Sequence, residues 1–121
     1  MKDIFIPGNV PSSKNSKQWT GKFLISSKNT LQWRIDTKVF WEKYKQDFLD
    51  MVKDLPKPYK VEFTFTRKSK HKFDYVNILQ APLDEMVKYG WIDDDNADEI
   101  KPYFGDYSYD KDNPGVTIKI I

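Results

Sequence analysis

Asp74, Asp84, Asp93, Asp94 and Asp95 are the residues of this chain whose type and spacing could do chemistry. Magnesium and manganese take oxygen ligands, commonly one or two carboxylates together with waters and substrate phosphate oxygens. Hydrolysing a phosphodiester with such ions requires carboxylates that converge from different chain segments, so that the cations flank the attacking water and the leaving oxygen. Asp74 follows a strand-like segment and precedes a helical one, and Asp94 or Asp95 follows that helix, so the two converge if the helix packs back on a sheet. The acidic run also sits where negative charge is disfavoured. A helix C-terminus carries roughly half a negative charge, and the helix stop at Gly90, with Lys88 in the last turn, leads almost at once into Asp93-Asp94-Asp95. Either water and nearby lysines screen the run, or a divalent cation binds there. Asp74 has its own structural alternative, because aspartates before helices are commonly N-caps.

The elements that must position these residues are legible in outline. Residues 2–7 (KDIFIP) predict a short first strand ended by Pro7-Gly8. Residues 9–19 are rich in turn formers and cations without periodicity and predict a loop, in which Lys14 and Lys17 could contact phosphate. Residues 23–26 predict a second short strand. From 30 to 55 the pattern is helical: Trp41, Tyr44, Phe48, Met51, Val52 and Leu55 recur at three- and four-residue steps, with Trp33, Thr37 and Phe40 extending the stripe backwards. Ser27 or Asn29 would cap its start, and Pro56 and Pro58 prevent its continuation.

Residues 59–66 (YKVEFTFT) alternate as a half-buried strand with Tyr59, Val61, Phe63 and Phe65 on one face. The basic loop Arg67, Lys68, Lys70, His71, Lys72 follows, immediately before Asp74. His71 is the only histidine, has no second ligand nearby in sequence, and is not expected to hold a metal. A second helix is expected over 78–89, with Leu79, Leu83, Met86 and Val87 apolar and Asn77, Gln80, Asp84 and Lys88 along the polar face. Pro82 implies a first regular turn nearer Leu79, or a kink, since an interior proline costs roughly 3 kcal/mol. Residues 99–104 and 116–121 predict two more strands around a turn-rich connection. Together these elements imply an α+β fold, a small mixed or antiparallel sheet of about four to five strands packed with two main helices.

At 121 residues the chain is expected to form a single domain over 1–121, with no linker and no internal repeat. It has no cysteine, which excludes disulfides and thiolate metal sites. No stretch approaches the about 18 apolar residues of a membrane span, and Met1 runs into Lys2 and Asp3 without a secretory pattern, so no membrane association and a cytoplasmic location are expected. The net charge of +2 hides a division: residues 1–72 hold 16 Lys/Arg against 7 Asp/Glu, and residues 73–121 hold 4 against 11. A basic half suits a polyanion and an acidic half suits cations, although the halves could equally neutralise each other.

Asp74-Tyr75-Val76-Asn77-Ile78-Leu79-Gln80, then Asp84, Gly90 and Asp94-Asp95, resembles in order and spacing the RusA-type Holliday junction resolvases, small endonucleases common in phages and prophages. The family pattern runs Asp-x-Asp-Asn-x-x-Lys, then an Asp, an apolar helix end, a glycine and Asp-Asp. The early segment IPGNVPSSKN is similar to the family's Pro-Ser-x-Asn loop, and the closing strand also fits, so the resemblance spans most of the chain. It implies Asp74 and Asp95 as ligands of Mg2+ (Mn2+ as a substitute), with Asp94 adjoining and Asn77 positioning the helix start. It further implies a homodimer that presents two sites to a four-way DNA junction and makes paired nicks. Junction binding would be largely to phosphate, through Lys14, Lys17, Arg67, Lys68, Lys70 and Lys72. Two positions depart: Val76 stands where the family has its second aspartate, and Gln80 where it has its catalytic lysine. Asp84, one helical turn from Gln80, or Asp93 could replace the carboxylate, and Lys70 or Lys72 the lysine. The alternatives are a weakened or inactive relative that still binds branched DNA, and a protein-interaction module whose acidic loop docks a basic partner.

Overall fold

The computed structural model describes residues 3–12, 17–19, 24–26 and 28–121, residues 17–19 and 24–26 by their backbone alone. Its elements are β1 (Ile4–Pro7), β2 (Lys17–Trp19), β3 (Leu24–Ser26), α1 (Lys28–Val52), β4 (Tyr59–Arg67), α2 (Tyr75–Lys88), β5 (Ile100–Phe104), β6 (Ser108–Tyr109) and β7 (Gly115–Ile120). The architecture is α+β, a mixed five-stranded sheet in the order β1-β7-β4-β5 with β6 also on β4, packed with two helices. β7 lies antiparallel between β1 and β4, whereas β5 and β6 run parallel to β4. Parallel neighbours cannot be joined by a tight hairpin. The chain therefore returns through α2, and that return places Asp74 at the far end of β4.

β4 is the central strand because its alternation is complete: Val61, Phe63 and Phe65 are each fully buried. Trp41 and Phe48 of α1, Ile78 and Met86 of α2, and Trp91 close over that face. The α1 stripe departs from the expected one at its end, where the helix stops at Val52 and Leu55 is 41% exposed. The Leu55 amide donates to the Val52 carbonyl in the turn that follows. Asn29 lies inside the first turn of α1, and Ser27 lies outside the described residues. Lys17 belongs to a strand and not to a loop, since β2 and β3 pair antiparallel, Lys17 opposite Ser26. Backbone pairing with a neighbour close in sequence requires no hydrophobic alternation, so none marks the segment.

α2 begins three residues earlier than the apolar period indicates, at Tyr75, and runs through Pro82 to Lys88. Pro82 has no N–H to offer the carbonyl one turn before it, but it is buried, and the packing of Ile78, Leu79, Leu83 and Met86 offsets the lost bond. The helix ends in a Schellman motif. Gly90, at φ +79°, donates to the Val87 carbonyl at 3.1 Å, and Trp91 donates to Met86 at 2.8 Å. This reversal turns the chain back along α2 and inserts Trp91 into the core. There its indole stacks on Phe48 at 5.0 Å between centroids, meets Trp41 edge-on at 5.2 Å, and donates to the Trp41 carbonyl at 2.9 Å.

Trp91→Ala should lower the unfolding free energy by about 3–5 kcal/mol, because it leaves a large cavity beside Trp41 and Phe48. Urea unfolding followed by circular dichroism measures it, and a loss below about 1 kcal/mol would mean that Trp91 does not anchor the reversal.

Candidate functional site

Asp74 occupies the N-cap position of α2, yet its carboxylate caps no backbone N–H. The backbone carbonyl of Asp74 accepts from Asn77 and Ile78, while its side-chain Oδ2 accepts from the Asn77 side chain at 3.1 Å. An aspartate used purely as a cap would turn its carboxylate onto the first-turn amides. This one is turned along the helix surface and is exposed.

One turn further along the same face, the Gln80 amide donates to two carboxylates at once, Asp84 Oδ1 at 2.7 Å and Asp95 Oδ2 at 3.1 Å. The reversal at Gly90 accounts for the second contact, because it carries the acidic turn back against the middle of α2. Asn77, Gln80 and Asp84 thus form a line to which Asp74 and Asp95 attach from the ends of two different connections. Asp94 is committed differently: its carboxylate accepts the Asp95 amide at 2.8 Å and the Asn96 side chain at 3.2 Å, which shapes the turn. Asp93 pairs with Lys57 at 3.2 Å, and the same ammonium holds Glu99 at 2.8 Å. Glu99 and Asp93 hold the Lys57 ammonium above its ordinary range. A lysine therefore screens one end of the acidic run. Asp95 receives only neutral donors and has no ion pair among the described residues.

The sequence did not single out Arg34. It reaches from α1 to place Nη2 3.8 Å from Asp84 Oδ2 and Nε 3.5 Å from Glu85 Oε1. Glu85 is 1% exposed, its Oε2 accepts no hydrogen bond among the described residues, and burial pushes its carboxyl above the ordinary 4.5 despite the opposing charges of Lys88 and Arg34. The signal available was positional: Glu85 falls between Leu83 and Met86 on the apolar stripe, where an acid requires a partner.

Among the described residues, no three carboxylate or imidazole side chains lie close enough as they stand to hold one ion. The donor set nonetheless suits a hard cation. Magnesium takes one or two carboxylates and completes its shell with water and phosphate, and Asp84 and Asp95 already share one small donor between them. Val76, where the RusA-type pattern would have an aspartate, is 72% exposed and touches no core.

Of the basic residues, Arg67 is half-buried; its Nη1 donates to the Val10 carbonyl at 2.7 Å and its guanidinium lies 5.0 Å from the Phe73 ring, so it ties β4 to the amino-terminal segment. Burial lowers its pKa. Lys68, Lys70 and Lys72 are exposed on the loop that leads to Asp74, whereas Lys14 lies outside the described residues. Among the described residues no helix is long and apolar enough to cross a membrane. No family model and no curated protein matches the chain.

The Glu85 carboxyl has a folded-state pKa above its unfolded one, so its contribution to stability is complete below the ordinary 4.5 and is lost as the pH rises through the folded-state value. Glu85→Gln removes that loss. The variant should therefore gain stability relative to the parent between pH 4 and pH 7, as paired urea midpoints would record; a constant difference would mean that Glu85 titrates normally.

Proposed function

We propose that the chain is a magnesium-dependent, structure-selective DNA endonuclease of the RusA type, which resolves four-way junctions by paired phosphodiester hydrolysis. The observation that carries this reading is the Gln80 amide held between Asp84 and Asp95, one turn from the Asn77–Asp74 pair. The two carboxylates are held near one another on an exposed surface although each would be well solvated apart, which leaves them positioned to share a cation. Asp74 and Asp95 would hold the cation, Asp84 standing in for the aspartate missing at Val76. A bound Mg2+ or Mn2+ supplies charge stabilisation at the phosphoryl oxygens and a more acidic water.

The remaining roles belong to residues of the chain. Gln80 keeps Asp84 and Asp95 together but carries no charge, so it cannot neutralise a phosphate as a lysine would. Arg34 supplies a cation on the far side of Asp84 and limits the repulsion within the cluster. Lys68, Lys70 and Lys72 flank the approach to Asp74, which makes DNA affinity steeply salt-dependent. A second copy of the chain finds support in Leu31, Ile35 and Val39, which recur at one helical turn on α1 and are 47%, 69% and 58% exposed. Val76 and Gln80 favour one other reading, a branched-DNA-binding protein with little or no cleavage.

Cleavage of a synthetic four-way junction in Mg2+ or Mn2+ tests the proposal. Asp74→Asn and Asp95→Asn should each reduce cutting to background while leaving the melting temperature within a few degrees of the parent. Junction binding without cutting in either ion would favour the binding reading, and no binding at low salt would end both. Val76→Asp adds a carboxylate at an exposed position and should raise the cleavage rate without loss of stability. An unchanged rate would mean that Asp84 already fills the role.

A further inference from the structure

Beside Asp74 lies a cleft of about 510 Å³ that the cluster of carboxylates does not account for. One wall is the basic loop, with Lys70, Lys72 and Phe73; the other is Tyr107 and Tyr109; Tyr75 and Asp74 form its end. Two-residue strand β6 builds this second wall. Thr66 and Arg67 of β4 pair with Ser108 and Tyr109, and the Asp110 amide closes the strand onto the Arg67 carbonyl at 2.9 Å. Gly105 makes the approach feasible, since a Cβ there would run into the Thr64 hydroxyl.

The rings in this cleft are ordered against each other but incompletely covered. Phe73 meets Tyr107 edge-on at 5.0 Å and Tyr75 at 5.6 Å, and Tyr75 lies over Phe104 at 4.7 Å. Tyr107 remains 57% exposed and Tyr109 46%, and the Lys70 ammonium stands 5.5 Å from the Tyr109 ring. The volume falls within the range of small-ligand sites. Aromatic faces interleaved with cations are the combination that single-stranded nucleic acid uses, the rings stacking on bases and the cations meeting phosphates.

We infer that this cleft takes one unstacked nucleobase of a DNA strand, with Tyr107 and Tyr109 as the stacking surface and Lys70 and Lys72 on the adjoining phosphates. The inference rests on the nuclease reading and deepens it. A base seated here has its own phosphate next to Asp74, so the cleft would favour strands whose stacking is interrupted at a branch or end over continuous duplex. Stacked duplex bases cannot enter without being turned out, which costs unstacking energy.

The test compares three probes of equal nucleotide count in EDTA: a single-stranded oligonucleotide, a four-way junction and a continuous duplex. Tyr107→Ala and Tyr109→Ala should each weaken the single-strand and junction complexes by roughly tenfold, and Tyr107→Phe should retain binding. Duplex affinity should stay within about twofold, because phosphate contacts dominate it. Equal losses on all three probes, or none on any, would overturn the base cleft while leaving the nuclease proposal intact. A parent protein that binds none of the probes would remove both. Melting temperatures confirm that each variant is folded, and because Tyr109 has no ring contact with Phe73, its variant stands if that of Tyr107 unfolds.

Discussion

The burial of Trp91 is the interaction on which the rest of the structure depends. Its ring is held between Trp41 and Phe48, and its indole N–H finds its acceptor in a carbonyl inside α1. Without it the chain leaving α2 keeps only the smaller Ile92 as an apolar anchor for doubling back, and the acidic turn is held less firmly. The reversal itself costs an unusual backbone angle at Gly90, which glycine tolerates. An aromatic buried on one side of the chain thus fixes a carboxylate, Asp95, on the other.

The same geometry resolves the electrostatic difficulty of aspartates just beyond a helix C-terminus. The difficulty is divided among three partners of different kinds. Lys57, from the connection before β4, neutralises the Asp93 and Glu99 side of the turn. Arg34, from α1, faces Asp84 and Glu85. Between them Asp95 has only the neutral amide of Gln80 and lies exposed, so negative potential concentrates at the point where α2 and the turn meet. The exposed pairs among these, Lys57 with Asp93 and Arg34 with Asp84, contribute little stability. Their effect is to place charge rather than to hold the fold.

Much of this was legible in the sequence because the core obeys simple periodicities. The alternation of Val61, Phe63 and Phe65 and the α1 stripe through Trp41 and Phe48 correspond to fully buried side chains. The polar line Asn77, Gln80 and Asp84 likewise lies along one side of α2, as its offsets require. What escaped was set by contacts remote in sequence or by pieces too short for a period. Tyr75 and Val76 lie outside the apolar stripe, so the first turn of α2 carried no signal, and Pro82 pointed away from it. β6 is two residues long and exists because the edge of β4 is free to accept it. Arg34 lies 50 positions from Asp84 and reads as one more charge on a helix, and Gln80 reads as a missing lysine although it joins two carboxylates.

Val76 projects from the first turn of α2 with almost three-quarters of its surface in water, and no core residue leans on it. The side chain at this position is therefore independent of folding. Two of the four valine codons lie a single base from an aspartate codon and the other two from a glutamate codon, so one base change at this position can introduce a carboxylate without passing through an unstable intermediate. The residue at this position can be exchanged by point mutation while the scaffold beneath it is undisturbed.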